Sequence, residues 1–164
     1  MLLDIKKIFG TYDETVTAAL ELDLSEEDFP GYTVPGTVEA RITATLQGRM
    51  LEIALDITAD VAFACARCLE ERTRRFHVLN TYCVLEADLS DPDAELSFTP
   101  DGKLDVRELA YTELVLEVPT VLLCSDDCAG LCPVCGNRKP CSCRHETSGS
   151  VDERLSILKQ LLND

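Results

Sequence analysis

The chain of 164 residues lacks features that define several large classes of proteins. It has no tryptophan, only 5% aromatic residues and two histidines. It contains no run of 18 or more apolar residues, so no transmembrane helix is expected. Residues 1–7 place their apolar side chains before their lysines, which is the wrong order for a signal peptide. A cytoplasmic protein without membrane contact is therefore expected.

Positive charge is also scarce. The chain has 15 Lys and Arg against 30 Asp and Glu, which gives a net charge of −15. An acidic surface repels polyanions, and this argues against a protein that coats nucleic acid generally. The basic residues concentrate in two islands beside the cysteines. The first basic island contains Arg67, Arg72, Arg74 and Arg75, and the second contains Arg138, Lys139 and Arg144.

Motifs for catalysis are missing as well. We find no Gly-rich phosphate loop, nucleophile elbow or paired-carboxylate motif. His77 falls in a predicted strand, which is typical of a surface or packing residue. His145 follows the last cysteine, where it could replace a metal ligand. No enzyme activity and no small-molecule substrate are expected, and a nuclease or a thiol oxidoreductase is the enzymatic alternative.

Hydrophobic periodicity predicts an antiparallel sheet. Residues 37–46 and 51–65 alternate apolar and polar side chains, the period of half-buried strands, and Gln47-Gly48 is a plausible turn between them. A third strand is predicted from Phe76 to Val84, after a turn that holds residues 68–75. The first 30 residues are expected to form edge strands and loops, and residues 97–106 a small hairpin or loop.

Two helices are predicted in the second half. Asp105 caps the first in a capping-box pattern with Glu108, and the helix stops before Pro119. Asp152 caps the second, which carries an apolar leucine stripe. The fold class expected is α+β: mostly antiparallel sheet with one internal helix, a Cys-rich zinc-binding loop module and a C-terminal helix. The predicted domains are a β-rich core at 1–123, the zinc module at 124–147 and a linker with the C-terminal helix at 148–164.

The chain has nine cysteines, and the six between Cys124 and Cys143 are its strongest signal. In a cytosolic protein they predict metal ligands before disulfides, because the cytosol keeps thiols reduced. Cys83 stands alone and is expected to be a small buried side chain. The other eight form four close pairs: Cys65 with Cys68, Cys124 with Cys128, Cys132 with Cys135, and Cys141 with Cys143.

Eight thiols fit two closed tetrahedral zinc sites, although the count does not fix the pairing. The preferred scheme joins Cys65, Cys68, Cys124 and Cys128 in one site and Cys132, Cys135, Cys141 and Cys143 in the other. A site made of Cys124, Cys128, Cys132 and Cys135 is the alternative, so one or two zinc ions are expected. An iron–sulfur cluster uses the same ligand type, and Cys65 with Cys68 could instead be a redox dithiol.

The two basic islands have two interpretations. A zinc ion with four thiolates carries a net charge of −2, so nearby Arg and Lys can screen that charge and donate to sulfur. Alternatively, the same residues contact a phosphate backbone, as arginine forks do. The sequence leaves both interpretations open.

The cysteine motifs resemble those of the bacterial YceD family, the large ribosomal RNA subunit accumulation proteins. The resemblance is carried by Cys65-Ala-Arg-Cys68-Leu-Glu, by Cys124-x3-Cys128-Ala-Gly-Leu-Cys-Pro-Val-Cys135-Gly, by Cys141-x-Cys143 and by the ending 151–162. Family members often carry Asn-Leu-Asn after the Cys-Gly step, whereas residues 137–140 here are basic and shorter. The loop between Cys135 and Cys141 is therefore the part that departs from the family pattern.

The resemblance implies a bacterial factor that promotes synthesis, processing or stability of 23S ribosomal RNA. The expected partner is ribosomal RNA or a basic large-subunit ribosomal protein, and the acidic composition favours the protein. A zinc-stabilised adaptor that docks through the C-terminal helix is the third hypothesis.

Overall fold

The described part of the chain, residues 2–11 and 15–143 of a computed structural model, is mostly antiparallel sheet with two α-helices. The α+β fold class is thus confirmed. The chain divides into two compact units, Met1–Cys128 and Ala129–Asp164. The domain boundaries at 123 and 147 stay a prediction. The elements are β1 (Leu2–Asp4), α1 (Ile5–Phe9), β2 (Thr15–Asp23), β3 (Thr37–Gln47), β4 (Met50–Ala64), β5 (Glu71–Leu85), a 3₁₀ turn (Glu86–Ser90), β6 (Lys103–Asp105) and α2 (Val106–Glu117).

The central sheet has four antiparallel strands in the order β2-β3-β4-β5. The predicted hairpin of β3 and β4 is confirmed, with Gln47 opposite Met50 at its end. The turn is Gly48-Arg49, one residue later than predicted, and Gly48 has a φ of +65°. A two-residue hairpin turn needs positive φ, which glycine adopts without a steric cost.

One face of this sheet is buried and the other is open to water. Alternate residues of β3 and β4 point into the core, and each fully buried Val, Leu, Ile or Phe side chain contributes about 1.5–3 kcal/mol. The opposite face carries threonines and charged side chains, as expected of an antiparallel sheet with one solvated face. The buried residues of the two strands are Val38, Ala40, Ile42, Ala44, Leu46, Leu51, Ile53, Leu55, Ile57, Ala59, Val61 and Phe63.

Strand β5 corrects two predictions. It begins at Glu71 rather than Phe76, so Arg72, Arg74 and Arg75 lie in a strand rather than a turn. Cys83 is exposed and not buried. It lies opposite Glu52 on the solvated face, because the core-facing positions of β5 are those of Val78, Tyr82 and Val84.

Helix α2 packs against the core through Val106, Leu109, Ala110 and Leu114. The predicted cap is present, since a side-chain oxygen of Asp105 accepts from the backbone amide of Arg107 at 2.9 Å. The helix ends at Glu117, before Pro119, as predicted.

A buried carboxylate lies between α2 and β5. Glu113 is only 6% exposed, and its oxygens accept from the hydroxyl of Tyr82 and from the side-chain amide of Asn80. Burial, and then the hydrogen bond to Glu113, raise the pKa of Tyr82. These three side chains satisfy one another, so a polar group is kept within the core without a free donor or acceptor.

The N-terminal strand β1 pairs with β6 in a small second sheet, a pairing that sequence periodicity did not predict. Beside it, Phe98 bridges Leu104 around Gly102, which confirms the predicted small hairpin. Within residues 2–11 and 15–143, no helix is both long and apolar enough to cross a membrane. The predicted C-terminal helix lies outside the described residues.

Candidate metal centre

The first cluster combines four cysteines of the Met1–Cys128 unit: Cys65, Cys68, Cys124 and Cys128. Their sulfurs all lie within 4.8 Å of one another. The sulfurs of Cys65 and Cys128 are 3.8 Å apart, and those of Cys68 and Cys124 are 3.6 Å apart. Four sulfurs about 2.3 Å from one ion at tetrahedral angles are about 3.8 Å from each other. The first cluster therefore has the dimensions of a closed tetrathiolate site.

The second cluster lies in the Ala129–Asp164 unit and consists of Cys132, Cys135, Cys141 and Cys143. Its four sulfurs also lie within 4.8 Å of one another. Only Cys132 is buried, and Cys135 is exposed. These two groups are the preferred grouping of the sequence prediction, and not the alternative of Cys124, Cys128, Cys132 and Cys135. Both could hold a metal ion.

The turn from Cys65 to Glu70 closes the hairpin of β4 and β5. Ala64 pairs with Glu71 at its base. Within the turn, the amide of Cys65 donates to the carbonyl of Glu70 at 2.9 Å, and the amide of Leu69 donates to the carbonyl of Cys65 at 2.9 Å. Leu69 has a φ of +60°, the one non-glycine residue with positive φ in the described part of the chain.

The turn that begins at Cys132 repeats this pattern. The amide of Cys132 donates to the carbonyl of Asn137 at 2.7 Å, and the amide of Gly136 donates to the carbonyl of Cys132 at 2.8 Å. Gly136 has a φ of +70°. Leu131 and Arg138 pair at the base. The two Cys-x-x-Cys turns thus have the same backbone hydrogen bonds, and in each the amides of the second and third residues after the first cysteine donate to its sulfur.

These amides act on the first thiol of the first cluster. Burial raises the pKa of Cys65, but the amides of Cys124, Arg67 and Cys68 more than offset this and lower the pKa to about 6. The amide of Glu70 lowers the pKa of Cys68, yet burial and the neighbouring thiols raise that pKa to about 12. Neighbouring thiolates repel one another, and a bound cation offsets that repulsion.

The second cluster also contains one thiol with a lowered pKa and one with a raised pKa. The amide of Cys135 lowers the pKa of Cys132 to about 6, against the effect of burial and with help from the amide of Val134. Hydrogen bonding with Cys135 and burial raise the pKa of Cys143 to about 12. Each cluster thus combines one thiol whose pKa is lowered, Cys65 or Cys132, with one whose pKa is raised, Cys68 or Cys143.

The arginines of the first basic island form hydrogen bonds and ion pairs within the protein. Arg67 donates to the carbonyls of Cys128 and Asp126, and Arg74 donates to the carbonyl of Leu123. The other two arginines form exposed ion pairs, Arg72 with Glu70 at 2.5 Å and Arg75 with Asp60 at 2.8 Å. Their contact with RNA stays a prediction. The sequence could not predict the carbonyl acceptors, because every residue has a backbone carbonyl whatever its side chain.

The second basic island is only partly described. Arg138 is exposed and Lys139 half-buried, whereas Arg144 and His145 lie outside the described residues. His77 lies on the solvated sheet face, where its Nε2 is 2.7 Å from Oδ1 of Asp56. It is thus a surface residue of a strand, as predicted.

Comparison with known proteins finds relatives in mycobacteria. Two relatives, Uncharacterized protein Mb2951c of Mycobacterium bovis and Uncharacterized protein Rv2926c of Mycobacterium tuberculosis, are each 27% identical over 148 residues. Each match covers 78% of this chain and 70% of the relative. No solved structure matches the chain.

A family model matches residues 53–162, about two thirds of the chain, and is described as Large ribosomal RNA subunit accumulation protein YceD. The matched range contains both Cys-x-x-Cys turns and all four cysteine pairs, the residues on which the resemblance was predicted. The chain belongs to the YceD family, whose name describes accumulation of large-subunit ribosomal RNA.

Proposed function

We propose that this chain is a non-enzymatic, zinc-stabilised factor that promotes synthesis, processing or stability of 23S ribosomal RNA. The family match over residues 53–162 carries the ribosomal part of the proposal. The two four-cysteine clusters carry the zinc part. Zinc would be held by Cys65, Cys68, Cys124 and Cys128, and by Cys132, Cys135, Cys141 and Cys143.

Bound zinc would act here as a structural cross-link. Four thiolates close the coordination sphere, so no position is left for an activated water. The first cluster would join segments that lie 56 to 63 positions apart in the chain. The protein's own residues prepare both sites, because their amides stabilise the first thiolate of each Cys-x-x-Cys turn.

Elemental analysis tests the zinc part directly. Two zinc ions per purified chain are expected, whereas one would leave a cluster as free thiols. Iron in place of zinc would overturn the proposal in favour of an iron–sulfur protein.

Genetic complementation tests the ribosomal part. In cells depleted of this protein, the ratio of mature 23S to 16S RNA should fall and precursors of 23S RNA should change. The wild-type chain and Cys83→Ser should restore the ratio, since Cys83 lies outside both clusters. Cys68→Ser should restore it poorly. Depletion that leaves precursor and mature 23S RNA untouched would exclude the function.

For the direct partner, we propose a basic large-subunit ribosomal protein rather than bare RNA. The net charge of −15 and the internal engagement of the first basic island support this choice. Affinity capture with and without ribonuclease, at low and moderate salt, separates the two partners. Recovery of a basic ribosomal protein after ribonuclease treatment is expected, and recovery of RNA after removal of protein would contradict it.

A further inference from the structure

The ligand segment, residues 122–128, supplies half of the first cluster and is held by contacts that do not involve sulfur. The guanidinium of Arg67 reaches its far end. Nη1 of Arg67 donates to the carbonyl oxygen of Cys128 at 3.0 Å and to that of Asp126 at 3.3 Å. Arg67 lies between Cys65 and Cys68. The first turn therefore supplies two thiols of the cluster and also the arginine that holds the segment with the other two.

The near end of the ligand segment is held by Arg74. Its Nη2 donates to the carbonyl oxygen of Leu123, the residue before Cys124, at 2.8 Å. The guanidinium also lies over the ring of Phe63, with 5.7 Å between the guanidinium carbon and the ring centroid. A backbone hydrogen bond from Ala66 to the carbonyl of Leu122, at 2.9 Å, adds a third contact at this end. The stacking on a buried ring fixes the direction in which Arg74 donates.

The charges of these two arginines are not cancelled by their hydrogen bonds, because their acceptors are neutral carbonyls. Arg72 and Arg75 differ in this respect, since each pairs with a carboxylate. A divalent ion with four thiolates would carry a net charge of −2, and the two guanidinium groups that donate to the ligand segment carry +2. The first basic island therefore contains two arginines matched to the cluster and two matched to acidic side chains.

We propose that Arg67 and Arg74 are positioning residues of the first metal site. They hold the backbone of the ligand segment so that Cys124 and Cys128 face Cys65 and Cys68, and they offset the charge of the tetrathiolate. This inference rests on the zinc binding proposed above. It assigns the two side chains to the metal site and not to a phosphate backbone, and it gives each guanidinium group a geometric task as well as an electrostatic one.

Zinc release from the full-length, zinc-loaded protein to the chelating dye 4-(2-pyridylazo)resorcinol tests the proposal. Cys68→Ser and Cys143→Ser first assign the release phases to the two clusters. Arg67→Ala and Arg74→Ala are each expected to accelerate release from the first cluster by about tenfold or more, the effect typical of removing an outer-shell partner. Release from the second cluster is expected to stay at the wild-type rate. Arg75→Ala, a neighbouring arginine of β5 that pairs with Asp60, is the matched control and should change neither phase.

Conservative variants separate positioning from general loss of stability. Arg67→Lys and Arg74→Lys keep the charge but not the planar fork, so intermediate release rates are expected. In the cobalt-substituted protein, the sulfur-to-cobalt charge-transfer absorption of the first cluster should shift in Arg67→Lys and not in Arg75→Ala. If either alanine variant fails to fold, the release rates of the lysine variants and the cobalt spectrum test the proposal instead.

Two results would overturn the inference. One is wild-type release rates in both Arg67 and Arg74 variants of a protein that holds two zinc ions. The other is an equal acceleration in Arg75→Ala. A wild-type protein without zinc would instead count against the proposed function, so the two failures are distinguishable.

Discussion

Leu69 occupies in the first Cys-x-x-Cys turn the position that Gly136 occupies in the second. Both follow the second cysteine of their turn, both have positive φ, +60° and +70°, and both donate their amide to the carbonyl of the first cysteine. Left-handed backbone costs an L-residue about 1–2 kcal/mol, whereas glycine adopts it freely. The first turn therefore retains a backbone strain that the second avoids.

Replacing Leu69 by glycine should stabilise the protein. The side chain of Leu69 is 66% exposed, so little buried area is lost, and relief of the left-handed strain should raise the free energy of unfolding by about 1 kcal/mol after the entropy of glycine is subtracted. Urea unfolding of the zinc-loaded protein measures this. Gly136→Ala is the reciprocal variant and should lower the stability of the second unit. A lower urea midpoint for Leu69→Gly would contradict the interpretation.

Cys83 should be the one rapidly reacting thiol of the zinc-loaded protein. It is exposed on the sheet face and belongs to neither cluster, whereas the other eight cysteines would be metal-bound. Titration with a disulfide reagent should give one fast thiol per chain, and nine after chelation in denaturant. Cys83→Ser should abolish the fast reaction. Fast reaction of Cys65 or Cys68 in the loaded protein would instead favour a redox dithiol.

Metal should leave the two clusters in sequence, the second cluster first. In the first cluster Cys65, Cys68 and Cys128 are 0%, 7% and 4% exposed, whereas in the second only Cys132 is buried. A chelator should therefore remove one zinc ion rapidly, with no change in the circular dichroism of the sheet. The second ion should leave slowly and together with a loss of stability.

The variants Cys143→Ser and Cys68→Ser identify these phases. Cys143→Ser should lack the fast phase, and Cys68→Ser should lack the slow one. By analogy with a cross-link that closes a loop of similar length, Cys68→Ser should lower the free energy of unfolding by about 4 kcal/mol. Simultaneous release of both ions would refute the order.

Tyr82→Phe should destabilise the core. The change removes a donor from the buried carboxylate of Glu113 and leaves Asn80 as its remaining side-chain partner. A loss of about 1–3 kcal/mol is expected, the cost of a buried acceptor without its donor. Tyr111→Phe is the control, because its hydroxyl donates to the exposed carbonyl of Asp28 and its loss should cost less. Equal effects of the two variants would show that the burial of Glu113 has no special cost.

The parts of the fold that depend on local pattern could be predicted from the sequence. Strands β3 and β4 follow from alternation, because one side of each faces the core. Helix α2 follows from the cap at Asp105 and the stop before Pro119. The requirement that a closed zinc site has four ligands predicts two sites from eight cysteines, but it does not predict which cysteines share a site.

The remaining features depend on contacts between distant residues. The pairing of β1 with β6 joins three-residue strands about a hundred positions apart, too short to show a period. The turn around Leu69 requires its left-handed backbone conformation. A leucine in the sequence does not predict that conformation. The acceptors of Arg67 and Arg74 are carbonyls, which every residue carries. The exposure of Cys83 could have been found, since alternation along β5 already places it opposite the core side.

The separation of the two halves of the first cluster also determines when it can be completed during synthesis. Cys68 leaves the ribosomal tunnel 56 residues ahead of Cys124, several seconds earlier at translation rates of about 5–20 residues per second. Through that interval Cys65 and Cys68 are outside the tunnel without the other two ligands of their cluster. An ion held by all four sulfurs can be enclosed only after α2 and residues 122–128 have emerged, so this centre matures later than the strands that carry its first two ligands.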